Sequence, residues 1–302
     1  MFKEFLDSLK QKGIEITYSE GKIKYTGPER YIDSQFIEDL KFYRSKIIKH
    51  FWPEECPNLM PINTEGSKAP FLLLHGSRVN SLLSEYLGKE RPFYGFLHCG
   101  SDGEKINHHS VESFAKDHVI QLQKIIPNGP YCLAGISFGG LIAYEMAVLL
   151  QSMKIDVPVL ILIDTKNPSV DDQQTGLNSI SRLYKVLDYF AKNIYHKTKN
   201  AYFNLVFKFN LNLEVKRRHS YIINCYINIG KKYKPSAFFK GEILILRATQ
   251  NKSLNLNLGW DNLCDKVKII YIEGNHNTIG REETAALLGF HIAEYLKNAD
   301  GK

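Results

Sequence analysis

A serine in a short glycine-flanked motif is the first residue of this sequence with an evident chemical use. The pentapeptide GISFG, residues 135–139, follows an apolar run of strand length and precedes a helical stretch. In such a motif the glycines permit a sharp strand-to-helix turn that raises the serine hydroxyl above a sheet edge. The start of the following helix also favours developing negative charge. Ser137 is therefore predicted to be a nucleophile, the alternative being a simple packing turn.

A serine nucleophile needs a base, and the base needs an orienting acid. His276, in the sequence EGNHN after the last apolar strand, has the place in chain order of a triad histidine. Asp164 closes the strand after the nucleophile helix, so its carboxylate is expected at the same sheet edge as the serine. The strand before the histidine ends at 246–250 without a carboxylate, and Asp261 and Asp265 are expected in a loop. Asp164 is therefore the predicted acid.

The oxyanion formed during acyl transfer needs two backbone N–H donors. The first is predicted to be Phe138, the residue after the nucleophile. The second is expected from the loop after the first strand of the domain, where Gly76 and Ser77 are both possible donors. His75, at the start of this loop, is expected to pack or hydrogen-bond in support of it.

The composition limits the class of protein. The chain has 302 residues, of which 44% are hydrophobic and 24% charged, as in a globular protein with a full core. Five scattered cysteines without metal-ligand spacing predict reduced thiols, no metal site and a cytoplasmic location. Glu4 and Asp7 interrupt any signal peptide, and apolar runs such as 157–163 are too short to span a bilayer. Membrane contact is therefore not expected.

The first 52 residues have the pattern of a small separate module. Apolar residues at helical spacing predict a short helix from Phe2, and alternation on both sides of residues 20–21 predicts a β-hairpin. Asp33 or Ser34 can cap a second helix. Residues 53–69, which contain prolines and no periodicity, are predicted to be a linker.

From residue 70 onward, apolar runs of strand length alternate with helical stretches. This alternation predicts an α/β domain, residues 70–302, with a mostly parallel sheet covered on both faces. Residues 168–235 interrupt it with aromatic and basic residues of helical character, which predicts an insertion.

The positive charge of the chain is concentrated in this insertion. The formal net charge of the whole chain is +7, and residues 168–235 hold 12 Lys and Arg against 4 Asp and Glu. A basic stretch interleaved with aromatic residues can serve as a binding module that stacks bases or lies on a membrane. No nucleic-acid-binding motif accompanies it, so nucleic acid is not an expected partner. Solvated helix faces and aromatic helix packing explain the same composition.

Several motifs occur in a characteristic order over residues 70–298. These are FLLLHG, GPYCLAGISFGGLIAYEMA, LILIDT and the pair LGW and EGNH. Together they resemble the thioesterase domains that terminate nonribosomal peptide synthetases and related polyketide synthases, which have the α/β-hydrolase fold. The resemblance implies a triad of Ser137, Asp164 and His276 and a helical lid at 168–235 that shapes the acyl pocket and faces the carrier protein. The sequence HGSRVN departs from the more glycine-rich loop of many relatives, which leaves the second oxyanion donor open.

Residues 1–52 resemble a TubC-type N-terminal docking domain of such synthetases. There the hairpin receives a short C-terminal peptide of an upstream subunit. The resemblance implies that Lys22 and Lys24 pair with acidic groups of that peptide, the alternative being a solvated strand face. The chain lacks the LGGxS-like attachment motif of a carrier protein. The acyl group is therefore expected on the phosphopantetheine of a separate carrier protein, and no cofactor or metal of the chain's own is expected.

The predicted reaction is release of a carrier-bound peptidyl or acyl thioester through an acyl–Ser137 intermediate. Water would complete a hydrolysis, and an internal amine or hydroxyl would complete a macrocyclisation. The enzymatic alternative is a proofreading, type II thioesterase that clears misloaded carrier proteins. The non-enzymatic alternative is the basic-aromatic binding module described above.

Overall fold

The N-terminal residues form a helix, a β-hairpin and a second helix in the computed structural model of the chain. Asp33 caps the second helix, because its Oδ1 accepts a hydrogen bond from the Phe36 N–H at 2.8 Å. The predicted order of elements in this module is confirmed. Their bounds are α1 (Phe2–Gln11), β1 (Glu15–Ser19), β2 (Lys22–Thr26), a 3-10 turn (Glu29–Tyr31) and α2 (Ser34–His50). The structure as a whole describes residues 2–19, 22–51, 56–76, 79–170, 194–195, 197–209, 211, 213 and 215–301.

A seven-stranded sheet follows, with strand order β3-β5-β4-β6-β7-β8-β9. Five of its six neighbouring pairs are parallel, and only β3 runs antiparallel to its neighbour β5. The predicted α/β class with a mostly parallel sheet is confirmed. The strands are β3 (Leu59–Asn63), β4 (Phe71–Leu74), β5 (Phe93–Phe96), β6 (Cys132–Ile136), β7 (Val159–Ile163), β8 (Phe239–Ala248) and β9 (Cys264–Ile272).

The edge strand β3 corrects the sequence prediction, because it lies inside the segment expected to be a linker. Leu59, Met60 and Ile62 are buried, and the strand pairs with β5. Its apolar run is short and broken by Pro61, which hides the strand pattern. On an edge strand a proline is tolerated, because one side of the strand forms no hydrogen bonds within the sheet.

Helices cover both faces of this sheet. α4 and α5 pack together over the face that includes Leu72 and Leu133, whereas α3 and α8 cover the face that includes Leu73 and Ala134. Because alternate residues of each strand point to opposite faces, strands buried on both sides read as continuous apolar runs. The helices after the module are α3 (Asn80–Leu87), α4 (Val111–Ile125), α5 (Phe138–Ser152), α6 (197–208), α7 (Val215–Gly230) and α8 (Glu282–Asp300).

The predicted insertion contributes α6 and α7, and residues 171–193 of it lie outside the described residues. Several aromatic side chains of the basic stretch pack between these helices. The rings of Phe203 and Phe207 lie 5.1 and 5.0 Å from the ring of Tyr221. Tyr202 and Phe209 are exposed. Packing between these helices therefore accounts for part of the aromatic content of the insertion, whereas Tyr202 and Phe209 lie at the surface.

Polar contacts of both its hairpin and its second helix join the N-terminal module to the larger part of the chain. Lys49 of α2 forms an ion pair with the buried carboxylate of Asp102. Burial alone would raise the pKa of Asp102, but the charge and hydrogen bond of Lys49 outweigh it, so this pKa is lowered. On the hairpin, the Tyr18 hydroxyl donates to the Pro61 carbonyl at 3.2 Å. The module is thus held against the edge of the sheet and the loop around residue 102.

In the part of the chain that the structure describes, none of the helices combines the length and the apolar character needed to cross a membrane. The His, Cys, Asp and Glu side chains of this part form no group of three or more that could hold a metal ion. All five cysteines are free thiols.

Candidate active site

Ser137 occupies a sharp turn between β6 and α5. Its backbone has φ +53° and ψ −117°, a conformation rare for a residue with a side chain. The flanking glycines are required by close packing: a Cβ on Gly135 would lie 2.2 Å from the Gly139 carbonyl oxygen, and one on Gly139 would lie 2.6 Å from the Leu74 carbonyl oxygen. The motif therefore forms the strand–turn–helix geometry expected of a nucleophile elbow.

A chain of hydrogen bonds connects Ser137 to His276 and Asp164. The serine Oγ lies 2.8 Å from His276 Nε2, and His276 Nδ1 lies 2.8 Å from Asp164 Oδ2. In the tautomer that this arrangement requires, Nδ1–H donates to the carboxylate and Nε2 accepts the serine proton. The His276 side chain is 51% exposed, so an acyl group can approach it from solvent. The structure thus brings together three residues that lie far apart in the sequence.

Asp164 is held as a carboxylate at the end of β7. Its side chain is fully buried, and Oδ1 accepts hydrogen bonds from the Ala248 N–H at 3.0 Å and the Asn251 amide at 2.7 Å. Burial alone would raise the pKa of Asp164, but the hydrogen bonds from His276, Asn251 and Ala248 together outweigh it, so the pKa is lowered. Asp164 therefore stays ionised at neutral pH and can stabilise a positively charged imidazole.

Sequence reasoning missed the residues that orient this carboxylate. The end of β8 carries no acid, but it supplies the Ala248 N–H, and Asn251 lies three residues beyond it. β8 pairs with β7, the strand that ends just before Asp164. A polar residue shortly after β8 is therefore the one sequence signal that could have indicated Asn251. The alternative acids, Asp261 and Asp265, are both exposed, and Asp265 lies at the start of β9 rather than in a loop.

Two of the three predicted oxyanion donors, Phe138 and Gly76, belong to the described residues. Phe138 is the first residue of α5, and Gly76 is the second residue after β4. Within the described residues, no group accepts a hydrogen bond from the N–H of either residue. Ser77, the other predicted donor, lies outside the described residues. The backbone of Phe138 and Gly76 is thus available to bind an oxyanion beside Ser137.

Three aromatic rings stack beside the nucleophile, an arrangement that the sequence did not predict. The ring of Tyr226 of α7 lies 4.3 Å from that of Phe138 and 5.0 Å from that of His75, and the Phe138 and His75 rings lie 6.1 Å apart, so the three rings form one cluster. His75 is buried, and burial lowers its pKa well below the ordinary value. The nearby side chains of His98 and His118 lower this pKa further. His75 is therefore neutral and acts as a packing group, in agreement with its expected support of the loop.

The hairpin lysines lie on the N-terminal module, apart from this constellation. Lys22 and Lys24 are both exposed on β2. Since they are two residues apart on one strand, they lie on the same face of the hairpin. Lys22 also lines a groove of about 680 Å³ formed with Pro61 of β3 and Ser84 of α3.

Parts of the chain are similar to known proteins. Residues 83–196 match the family model described as a thioesterase domain. Malpibaldin synthetase of Mortierella alpina is 26% identical over 262 residues, which cover 82% of this chain and 4% of that protein. The polyketide synthase PksR of Bacillus subtilis is 32% identical over 111 residues, 36% of this chain and 4% of that protein. The chain therefore spans only a small part of the length of these curated relatives.

Solved structures share the fold over most of the chain. The NocB thioesterase domain from the nocardicin cluster superposes with a TM-score of 0.56 at 19% identity, covering 81% of this chain and 99% of that domain. The type II thioesterase BorB from the borrelidin biosynthetic cluster superposes with a TM-score of 0.55 at 15% identity, covering 80% of this chain and 96% of BorB. The match of residues 83–196 to the thioesterase family model implies a hydrolase acting on thioesters. The chain has the α/β-hydrolase fold of its structural neighbours, which include thioesterases of the nocardicin and borrelidin clusters.

Proposed function

We propose that the chain releases a peptidyl or acyl group from the phosphopantetheine thioester of a separate carrier protein, through an acyl–Ser137 intermediate. The observation that carries this proposal is the chain of hydrogen bonds from Ser137 through His276 to Asp164, within a thioesterase domain. This geometry is that of an activated serine nucleophile with an oriented base.

In the first half-reaction, His276 Nε2 takes the Ser137 proton while Oγ attacks the thioester carbonyl carbon. The developing oxyanion accepts hydrogen bonds from the Phe138 N–H and from the loop at Gly76 and Ser77. When the tetrahedral intermediate collapses, the carbon–sulfur bond breaks and the proton on His276 passes to the departing thiol. Asp164 stabilises the positively charged imidazole throughout.

In the second half-reaction, His276 takes a proton from the attacking nucleophile. Water gives a linear acid, and an amine or hydroxyl of the bound chain gives a macrocycle. Ser137 leaves with the proton from His276, which restores the free enzyme. Hydrolysis and macrocyclisation use the same protein groups. The outcome therefore depends on whether the lid and the acyl chain admit water to the acyl–enzyme.

The lid supports the proposal of a carrier protein as the partner. Among its described residues, Lys197, Lys208 and Arg217 are exposed, as are Lys231 and Lys232 after α7. A positive surface attracts an acidic carrier domain and the phosphate of its pantetheine arm, which speeds encounter and orients the partners.

Intact-mass spectrometry with octanoyl-pantetheine tests the acyl–enzyme step. We expect the parental chain to gain one octanoyl group, which fragmentation places on residues 135–139. The Ser137→Ala variant serves as the control and should gain none. An octanoyl adduct that survives in Ser137→Ala would contradict the proposed nucleophile.

We further propose that the N-terminal module docks an acidic C-terminal peptide of an upstream synthetase subunit. Lys22 and Lys24 lie on one exposed hairpin face, and the groove beside Lys22 has room for an extended segment. Exchange of both lysines for glutamate replaces two charge attractions to the acidic peptide with two charge repulsions. Since each exposed ion pair contributes up to about 1 kcal/mol, binding of an acidic peptide should weaken by about tenfold or more.

The docking experiment compares two charge-matched double variants by fluorescence anisotropy. The probe is a synthetic labelled peptide that alternates glutamate and valine. Lys22→Glu/Lys24→Glu should weaken its binding, whereas Lys116→Glu/Lys124→Glu, on exposed positions of α4, should bind as the parental chain does. Equal losses in both variants would indicate a general charge effect and would contradict hairpin docking.

A type II proofreading activity is the second candidate function, favoured by the similarity to BorB. A proofreading enzyme removes short acyl groups from many carriers, whereas a release enzyme favours the full-length chain. Turnover of carrier-bound acetyl and peptidyl thioesters separates the two, because a preference for the acetyl group would favour proofreading.

A further inference from the structure

We propose that Tyr226, on helix α7 of the lid, is a positioning residue that holds the two sides of the oxyanion hole in register. The inference rests on the proposed function, because it concerns the backbone donors of that same site. It adds a residue that takes no part in the hydrogen bonds joining Ser137, His276 and Asp164 and that neither the motifs nor the chain order indicated.

The Tyr226 ring contacts a residue on each side of the proposed hole. It stacks on Phe138 with an interplanar angle of 12° and on His75 with an angle of 4°. Phe138 supplies one donor from its own N–H, and His75 directly precedes Gly76 in the loop that supplies the other. The Phe138 and His75 rings also lie 6.1 Å apart, so Tyr226 completes a cluster of three rings that joins the segment from α5 to the segment after β4.

The backbone of His75 needs such support. Its φ is +65°, in the left-handed region that disfavours residues with a side chain. A strained residue keeps its conformation only when its surroundings hold it. The His75 ring packs against both Tyr226 and His98, the latter at a centroid distance of 4.1 Å, and the Tyr226 hydroxyl lies 3.4 Å from His75 Nε2. Loss of the Tyr226 ring would let His75 relax and turn the Gly76 N–H away.

Tyr226 is itself held, because α7 is fixed two turns earlier by Arg218. The Arg218 side chain is buried, and its Nη1 donates to the Phe42 carbonyl at 2.9 Å and to the Ser101 carbonyl at 3.4 Å. Its guanidinium also lies over the Phe42 ring at 4.6 Å. Phe42 belongs to α2, so the N-terminal module helps to fix the helix that carries Tyr226.

Tyr221 provides a matched comparison on the same helix. It is also a buried tyrosine, and its hydroxyl accepts a hydrogen bond from the Ile106 N–H at 2.7 Å. Its ring contacts are to Phe203 and Phe207 of α6 rather than to the proposed oxyanion residues. Truncation of either tyrosine removes a similar amount of packing from the lid, but only Tyr226 contacts Phe138 and His75.

The experiment measures kcat and KM of the full chain with octanoyl-pantetheine, the affinity for octylboronic acid and the melting temperature. The boronic acid forms an anionic tetrahedral adduct with a serine and therefore reports on the oxyanion hole. For Tyr226→Leu we expect kcat and boronic acid affinity to fall together, by about 10- to 100-fold, with little change in KM. Tyr221→Leu should lower the melting temperature but keep kcat, and Tyr226→Phe, which retains the stack, should keep both.

Parental kcat in a folded Tyr226→Leu, or an equal loss of kcat in Tyr221→Leu, would overturn the inference. If Tyr226→Leu does not fold, Phe138→Leu removes the stack from its other, partly exposed side and should show the same paired losses. A separate result contradicts the proposed function, namely full activity of the Ser137→Ala variant. An enzyme that needs Ser137 but tolerates both stack variants would refute the inference alone.

Discussion

Replacement of Ser137 by alanine is expected to lower thioester turnover by about 10⁴- to 10⁶-fold, because the covalent route is lost while substrate binding remains. The change removes only Oγ, whose partner is His276. The backbone bonds of the turn stay, since the residue-137 N–H donates to the Ile163 carbonyl at 2.9 Å and its carbonyl accepts from Thr165 Oγ1 at 3.0 Å. The melting temperature should therefore be close to that of the parental chain.

Release of pantetheine thiol from octanoyl-pantetheine measures this loss. Ser152→Ala is the matched control, because Ser152 lies at the other end of α5 and bonds only to the Leu149 carbonyl within its own helix. It should retain parental turnover. A Ser137→Ala variant that releases thiol at the parental rate would end the assignment of the nucleophile.

The exchange of Asp164 for asparagine should lower kcat by about 10⁴-fold, because it reverses the histidine tautomer. Oδ1 of residue 164 accepts two hydrogen bonds, from Ala248 and Asn251, so an asparagine must place its oxygen there. Its NH₂ group then faces His276 Nδ1 and donates to it. The imidazole proton moves to Nε2, which can no longer accept the proton of Ser137.

Kinetics of Asp164→Asn and Asp261→Asn distinguish this role from a general effect of charge. Both variants remove one carboxylate, but Asp261 is exposed, and the hydrogen bonds that join Ser137, His276 and Asp164 do not include it. Asp261→Asn should therefore keep the parental kcat. Inactivation by Asp261→Asn with retention of activity in Asp164→Asn would identify a different acid.

The sequence predicted those parts of the fold that depend on local patterns. The alternation of apolar strands and helices predicted the α/β class, and the GISFG motif predicted the turn at Ser137, because glycine sterics are a local property. The hairpin and the Asp33 cap of α2 were predictable for the same reason. In each case the signal lies within a few residues of the feature.

Other features were decided only by tertiary packing. β3 was hidden because its burial depends on pairing with β5, some thirty residues later in the chain, and not on an apolar pattern of its own. Asp164 was predicted as an acid, but its donors Ala248 and Asn251 lie 84 and 87 residues away.

The ring cluster beside the nucleophile shows most clearly the difference between local sequence signals and tertiary packing. His75 and Tyr226 are separated by 151 residues, and their rings meet only because α7 of the insertion crosses the end of β4. The sequence by itself determined which residues can act as nucleophile, base and acid, because type, local turn and chain order carry that information. The tertiary structure decided which side chains hold them in place, because packing joins residues that no local pattern relates.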